Sequence, residues 1–216
     1  MRNQAQIRSD FLVCCWTGFV LVAIYLPIIC SALAGLSTSR YFLFPVREYS
    51  LSWWQRTVDS FEVQILVQNS LKIALLVTLI SVVLAFFGAL AFARYDWKGR
   101  KLYQKLLLLP IFFPQTVLGL ALLLWMNALG LSPSWKTAVI AHLVWIVPVV
   151  TLVIAIQVYN YDPSLEEAAS DLGAGKLFIF REITLPLLWP GIWSGALFAF
   201  LLSWGNFPLS LYTSGA

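Results

Sequence analysis

Charged residues are scarce in this chain of 216 residues: they make up only 11% of it, against about 25% of an average soluble domain. Hydrophobic residues reach 60%, whereas soluble domains contain roughly 45–50%. A water-exposed surface needs more charge, so this composition argues against a soluble globule, a disordered chain and a nucleic-acid-binding module. The net charge of +4 is better explained by basic residues that orient membrane helices than by a nucleic acid partner. The composition therefore predicts an integral membrane protein.

Residues that carry chemistry are also few. The chain has one histidine and three cysteines, and all three cysteines lie in the first apolar stretch: Cys14, Cys15 and Cys30. This pattern fits neither a disulfide framework nor a zinc site, and we interpret the cysteines as small packing residues. No Asp or Glu lies well inside any apolar stretch, which argues against a proton- or cation-coupled carrier and, together with the single histidine, against a membrane-embedded enzyme. A secondary transporter or channel subunit that works without ATP stays an alternative.

Long apolar stretches are what the chain has in abundance. A helix needs about 20 apolar residues, at 1.5 Å each, to cross roughly 30 Å of hydrocarbon. Five stretches qualify, over about residues 11–36, 66–93, 106–127, 137–158 and 187–211. Barrel strands need only about 9–11 residues, so the lengths predict an all-α integral membrane protein, a polytopic helical bundle formed by residues 1–216 as one transmembrane domain. The first stretch exceeds the about 7–15 apolar residues of a signal peptide, and we expect an uncleaved span.

Basic residues are distributed unequally between the two sets of loops. Nine lie before the first stretch or in the loops after the second and fourth: Arg2, Arg8, Arg94, Lys98, Arg100, Lys101, Lys105, Lys176 and Arg181. Four lie in the other loops: Arg40, Arg47, Arg56 and Lys136. Because basic residues mark the cytoplasmic side, this predicts a multi-pass protein of the bacterial inner membrane with a cytoplasmic N-terminus. Five spans then place the C-terminus outside.

The first external loop, about residues 37–65, is rich in aromatic residues: Tyr41, Tyr49, Trp53 and Trp54. Tyrosine and tryptophan concentrate where lipid meets water. The loop therefore contains either an amphipathic segment along the outer surface or a plain interfacial belt of aromatic side chains.

The last cytoplasmic loop, about residues 159–186, contains the start of a short helix. Asp162 can cap this helix with Pro163 at its first position. Ser164 with Glu167 offers an alternative, a capping box that begins two residues later. Either solution starts a helix at this point.

One face of that helix is apolar, formed by residues at i, i+3, i+4 and i+7: Leu165, Ala168, Ala169 and Leu172. Glu166 and Asp171 lie away from this stripe, and Gly173 follows it, where a left-handed cap ends a helix. A helix of roughly ten residues is marginal in water alone. A short helix with a small-residue face, joined to two spans, is therefore suited to dock against a partner.

The same loop carries a longer spaced motif: Glu167-Ala168-Ala169, Gly173, Ile183, Leu185 and Pro186. This string resembles the EAA motif of the permeases of binding-protein-dependent ABC importers, which reads Glu-Ala-Ala, three residues, Gly, nine residues, Ile, one residue, Leu-Pro. Further similarity to the spermidine/putrescine-type branch lies at Asn69-Ser70, residues 110–119 and residues 206–215. The resemblance implies a MetI-like permease fold. That fold usually has six spans, so we expect one more than the five present.

The resemblance also implies a function. The chain would be an inner-membrane permease subunit that forms half of a translocation pathway and couples to a separate ATPase through residues 159–186. The coupling residues would be Leu165, Glu167, Ala168, Ala169, Leu172, Gly173, Ile183, Leu185 and Pro186, with Glu167 making a charge-assisted contact. The substrate would be a polyamine or a similar small polar solute. Other branches of the family carry thiamine, ferric ion, phosphonates or oxyanions, and these remain alternatives.

The expected cofactors and partners follow from that role. No cofactor is expected in this chain, because ATP and magnesium would bind the ATPase. Gly173-Ala174-Gly175-Lys176 is not a P-loop, since Leu177 follows the lysine and Ser170 stands at the first glycine position. The partners would be the ATPase, a second identical or homologous permease, a periplasmic or extracellular solute-binding protein and the lipid membrane, with no nucleic acid.

Polar residues within the spans are candidates for the translocation path: Gln115, Thr116, His142 and Asn206. For each, an interhelical hydrogen bond worth about 0.6–2 kcal/mol is the alternative interpretation. Pro110, Pro114 and Pro148 are expected to kink their helices.

Overall fold

The computed structural model describes residues 4–39, 46 and 48–215, with side chains from residue 10 onward. Four residues used in the predictions lie outside this part of the chain, namely Arg2, Arg40, Tyr41 and Arg47. The described residues are helical apart from loops and an isolated bridge between Ser37 and Tyr49, so the all-α prediction is confirmed. The chain divides into two compact units, Met1–Leu66 and Val67–Ala216. That residues 1–216 form one transmembrane domain stays a prediction.

The first unit contains α1 (Gln4–Leu36) and α2 (Ser52–Asp59). From Asp10 to Leu36, α1 is long and apolar enough to cross a membrane, and its large apolar side chains are exposed. Helix α2 has no buried residue; it exposes Trp53 and Trp54, and the Arg56 guanidinium lies 5.2 Å from the Trp53 ring centroid. This helix fits the amphipathic interpretation of the first external loop.

Helix α3 (Phe61–Ala89) continues into a five-residue π-helical turn, Leu90–Arg94, which we call the first π-turn. The carbonyl oxygens at its end are satisfied by the next helix, α4 (Arg100–Leu108). Arg100 donates through Nε to Phe92 O at 3.0 Å and through Nη2 to Ala93 O at 3.1 Å. These bonds hold the start of α4 against the end of the second span.

The third predicted span, residues 106–127, is wrong as a single continuous helix. Helix α4 and a 3₁₀ turn (Leu109–Phe112) form one arm, and α5 (Gln115–Ala128) forms the other, with a bend of 105° between them. Pro114 stands at the break and cannot donate a backbone hydrogen bond, so the helix ends before it. The expected kink is thus a break, and the stretch is a broken span or a re-entrant loop.

The fourth predicted span corresponds to α6 (Trp135–Asn160), which is confirmed within two residues at each end. Ser134 caps it, since its Oγ accepts from the Thr137 N–H. Pro148 lies inside this helix.

The fifth predicted span, residues 187–211, is wrong at both ends. The apolar helical stretch runs over Lys176–Trp204 and comprises α8 (Lys176–Ile179), a second π-turn (Phe180–Thr184) and α9 (Leu185–Trp204). A separate helix, α10 (Phe207–Thr213), follows and packs against α5 and α6. The helix is interrupted here because Asn206 caps a new one: its Oδ1 accepts from the Leu209 N–H at 3.2 Å.

The core of the second unit draws most of its buried residues from α3, α6 and α9. Helix α9 presents small residues at four-residue intervals, all buried: Gly191, Gly195, Ala199 and Ser203. Small residues at this spacing let two backbones approach closely in a membrane bundle. They face α6, where Val150 and Ile154 are fully buried.

Candidate functional site

The predicted short helix exists as α7 (Ser164–Asp171), eight residues long and not ten. Asp162 supplies its cap, since its Oδ1 accepts from the Ser164 N–H at 2.9 Å, and Pro163 already has helical backbone angles. This hydrogen bond lowers the pKa of the Asp162 carboxyl from its ordinary value. Of the two capping alternatives, the structure therefore has the one in which Asp162 precedes Pro163.

The end of α7 is set by Gly173, whose φ of +85° lies in the left-handed region. Gly173 N–H donates to Ser170 O at 2.9 Å, and Ala174 N–H donates to Ala169 O at 3.0 Å. This pair of bonds is a Schellman motif, in which only glycine adopts the required conformation without strain. The predicted left-handed cap is confirmed.

The described residues leave the apolar stripe of α7 largely uncovered. Leu165 is 47% exposed, Leu172 is 90% exposed and Ala168 is also exposed, while Ala169 is half-buried. Glu167 is exposed as well, and α7 contains no buried residue. A hollow of about 490 Å³ lies beside the end of the stripe, lined by Ala169, Leu172, Gly173, Ala174, Gly175 and Phe178. The stripe and this hollow form an apolar surface that the described part of the chain does not fill.

The other three predicted coupling residues lie elsewhere. Ile183 is half-buried in the second π-turn, and Leu185 packs against the core of the second unit. Pro186 is exposed in the first turn of α9. These residues form the base of the span that follows α7, and they are not part of the exposed stripe.

Glu166, next to the motif glutamate, makes the contact that sequence reasoning missed. Arg94 Nη2 donates to Glu166 Oε2 at 2.6 Å, and Thr184 Oγ1 donates to Glu166 Oε1 at 2.5 Å. The Arg94 guanidinium also lies 4.8 Å from the Tyr161 ring centroid. Burial, together with the adjacent Glu166 carboxylate, raises the pKa of the Tyr161 hydroxyl to about 12. No local signal reveals this cluster, because Arg94 and Glu166 are 72 positions apart.

A cavity of about 660 Å³ adjoins this cluster. Its polar lining contains two carboxylates and one amine, and its walls come from α3, both π-turns, α7 and α8: Phe87, Leu90, Ala91, Tyr95, Glu166, Glu167, Ser170, Lys176, Ile179, Phe180 and Thr184. The same end of the unit therefore presents both an apolar stripe and a polar recess.

The candidates for the translocation path lie in two places. His142 is buried, with Nδ1 2.9 Å from Ser203 Oγ and Nε2 3.0 Å from Ser210 Oγ, so it bridges α6 to α9 and α10. Asn206, which lies between those two serines in the sequence, is buried and caps α10. Gln115, half-buried, and Thr116, exposed, open α5 after the break. For His142 this geometry matches the interhelical hydrogen-bond interpretation, and a role of the four residues in transport stays a prediction.

Comparison with known proteins agrees with the sequence motif. A family model described as "Binding-protein-dependent transport system inner membrane component" matches residues 78–215. The spermidine/putrescine transport system permease protein PotC of Haemophilus influenzae is 29% identical over 198 residues, which cover 91% of this chain and 77% of that protein. The putrescine transport system permease protein PotI of Escherichia coli is 29% identical over 223 aligned positions, which cover 100% of this chain and 78% of that protein.

Two further comparisons concern other transport systems. The molybdenum transport system permease protein ModB of Escherichia coli is 35% identical over 151 residues, covering 64% of this chain and 66% of that protein. Among solved structures, a bacterial ABC transporter involved in the import of the acidic polysaccharide alginate matches with a TM-score of 0.73 and 19% identity. That match covers 100% of this chain and 78% of that one. At this low identity, the similarity to the alginate importer shows a shared fold and nothing about function.

Proposed function

The chain belongs to the inner membrane components of binding-protein-dependent transport systems, and from this premise we propose that its exposed α7 stripe is where the importer's ATPase docks. The chain is a multi-pass permease subunit of an ATP-driven importer and not itself an enzyme. We further propose that ATP and magnesium bind on the ATPase. A second identical or homologous permease would complete the pathway, and a solute-binding protein would deliver the cargo.

The uncovered stripe is the observation that supports docking at α7. Leu165 and Leu172 expose apolar surface on a helix too short to be stable by itself, and this surface needs a partner. Glu167 stands exposed beside the stripe and offers a carboxylate to a basic side chain. Short connections join α7 to α6 and to α8, so a pull on α7 reaches two spans. Such a rigid-body movement would switch the access of the pathway between the two sides of the membrane.

Co-purification of the cognate ATPase tests the docking proposal. We expect Leu172→Asp to abolish ATPase binding and Glu167→Ala to weaken it, because the first places a charge on the apolar contact and the second removes a carboxylate. Asp171→Ala is the matched control, since Asp171 is exposed on the same helix but lies off the stripe. All three variants should reach the membrane in wild-type amounts. Unchanged ATPase recovery with both stripe variants would exclude α7 as the docking helix.

For the substrate we propose a polyamine or a similar small polar solute. The support is the similarity to PotC and PotI over 91% and 100% of this chain. The higher identity to ModB over 64% of the chain favours an oxyanion as the second candidate. Calorimetry on the cognate solute-binding protein distinguishes them: we expect heat on adding spermidine or putrescine, and none on adding molybdate. The opposite result would reject the polyamine.

For the orientation we propose that α7 and the N-terminus lie in the cytoplasm. The Arg94–Glu166 contact brings α7 to the same end of the second unit as Lys98 and Lys101, which lie in the basic segment that follows Arg94. Single cysteines at Asp171 and Ser132, in a variant without the native cysteines, test this on intact cells. We expect a membrane-impermeant maleimide to label Ser132→Cys and to leave Asp171→Cys unlabelled until the cells are opened. The reverse labelling pattern would show that the orientation is opposite to the one proposed.

A further inference from the structure

We propose that Arg94, Glu166 and Thr184 form a clamp that makes α7 and two spans move together, so that Glu166 is a positioning residue for transport. The proposal rests on α7 being the docking helix, as proposed above. The name clamp refers to these three side chains only. The clamp transmits movement after the ATPase has bound and contributes nothing to the binding itself.

Each member of the clamp comes from a different element. Arg94 is the last residue of the first π-turn, which ends the second span, and Thr184 is the last residue of the second π-turn, which leads directly into α9. Glu166 lies in the first turn of α7. Both of its carboxylate oxygens are engaged, one by Arg94 at 2.6 Å and one by Thr184 at 2.5 Å. One side chain therefore joins the docking helix to the end of the second span and to the residue before α9.

The surroundings make this contact stronger than a surface ion pair. The Arg94 and Glu166 side chains are 16% and 23% exposed, Thr184 is buried, and the Tyr161 ring lies against the guanidinium. Water and salt screen such a pair much less than an exposed one. By contrast, Arg181 and Glu182 form an exposed pair at 3.8 Å, where little interaction energy is expected. The Arg94–Glu166 interaction is therefore expected to resist separation more strongly than an exposed ion pair.

Both π-turns lead to the clamp. The π-helix is a rare conformation that occurs frequently at functional sites. The first π-turn, Leu90–Arg94, and the second, Phe180–Thr184, are each five residues long and each end at a clamp residue. The two wide turns thus place an arginine and a threonine on the same carboxylate from two different spans.

The adjacent glutamates have different surroundings. Glu166 is half-buried and bound within the chain, whereas Glu167 is exposed. Consecutive residues on a helix point about 100° apart, since a turn contains 3.6 residues. One carboxylate can therefore hold the helix to its own spans while the next faces a partner. This separation predicts that removal of the two side chains has different effects on docking and on transport.

The test uses the complete transporter in proteoliposomes, with ATPase binding, ATP hydrolysis and uptake measured on the same preparation. We expect Arg94→Gln and Glu166→Gln to retain the ATPase and its hydrolysis but to lower uptake per ATP by about 5-fold or more. Thr184→Val, which removes one hydrogen bond and no charge, should lower it less. Arg181→Gln is the matched control for loss of a positive charge, and it should transport as the wild type does.

A covalent replacement of the clamp provides a second measurement. In the variant without native cysteines, Arg94→Cys with Glu166→Cys should show low uptake per ATP. A short bifunctional thiol reagent that bridges the two cysteines should restore it. A clamp that merely stabilised the fold would not give this recovery at constant ATPase binding.

The outcomes separate this proposal from the docking proposal. Unchanged uptake per ATP in Arg94→Gln and Glu166→Gln would overturn the clamp while leaving docking at α7 intact. Loss of ATPase binding in these two variants would also overturn it, because the contact would then build the docking surface. If Leu172→Asp and Glu167→Ala both retain the ATPase, the docking proposal fails whatever the clamp variants do.

Discussion

Gly191 of α9 faces Gln157 of α6 so closely that a Cβ on the glycine would stand 2.7 Å from the Gln157 Cβ. Gly195, one turn further, would meet Ile154 Cγ1 at 3.0 Å and Val150 Cγ1 at 3.1 Å. Gln157 Nε2 in turn donates to Leu187 O at 3.2 Å. The two spans on either side of α7 are therefore packed backbone to backbone, and they have little freedom to slide past each other.

Enlarging these glycines should loosen that packing. We expect Gly191→Val and Gly195→Val each to destabilise the protein by about 1–3 kcal/mol, because the added methyl groups overlap atoms of α6. Thermal unfolding in detergent, followed by circular dichroism, measures the effect. Gly18→Val is the matched control, since nothing lies within 4 Å of a Cβ at this position of α1. Equal melting temperatures for all three variants would show that α6 and α9 are not in close contact.

A substitution at Gly173 should affect α7 and leave the rest of the fold intact. A side chain there has open space but a φ of +85°, so Gly173→Ala costs about 1–2 kcal/mol of local strain. We expect weaker ATPase binding at an unchanged melting temperature, because α7 buries none of its residues. Gly175→Ala is the matched control, with equally open space and a φ of −73°. Equal binding by both variants would contradict the role of the left-handed cap.

His142 should behave as a structural bridge. Its ring nitrogens engage Ser203 and Ser210, and we expect His142→Ala to lower stability by about 0.6–2 kcal/mol without changing the KM for substrate. A double-mutant cycle with Ser203→Ala checks the pairing, since residues in contact have non-additive effects. A raised KM at unchanged stability would instead favour the path interpretation for His142.

Asn206 should stabilise α10 only through its side-chain oxygen, Oδ1. Its Oδ1 caps the helix, so we expect Asn206→Ala to cost about 1 kcal/mol and Asn206→Ser, which can still cap, to cost much less. Thermal unfolding of the two variants makes the comparison. If serine is as damaging as alanine, the amide nitrogen carries a contact beyond the cap.

Local signals explain which parts of the fold could be predicted from the sequence. Asp162, Pro163 and Gly173 act on their immediate neighbours, and the start and end of α7 follow from them. The spans can also be predicted from a short stretch of sequence, because each needs about 20 consecutive apolar residues. The bend at Pro114 was foreseen only as a kink, because proline interrupts a helix but its neighbours in space determine the angle.

The clamp, in contrast, could not be predicted from the sequence. Glu166 falls off the apolar stripe of α7, and in the sequence Arg94 contributes only to the count of basic residues that predicts the orientation. Their contact depends on how two distant chain segments meet, which neither periodicity nor charge counting describes. Apolar length does not predict the separate helix α10 either, because the apolar stretch continues past Asn206, whose Oδ1 accepts from the Leu209 N–H and begins a new helix.

The absence of buried residues in α7 has a consequence for how long the helix persists. Its eight residues contribute little to their own folding, so the clamp and any docked partner determine how often the segment opens. In the isolated permease its amide hydrogens should exchange with solvent far faster than those of α6. Assembly would slow that exchange, so the amide exchange rate of this helix of about two turns reports whether the ATPase has docked.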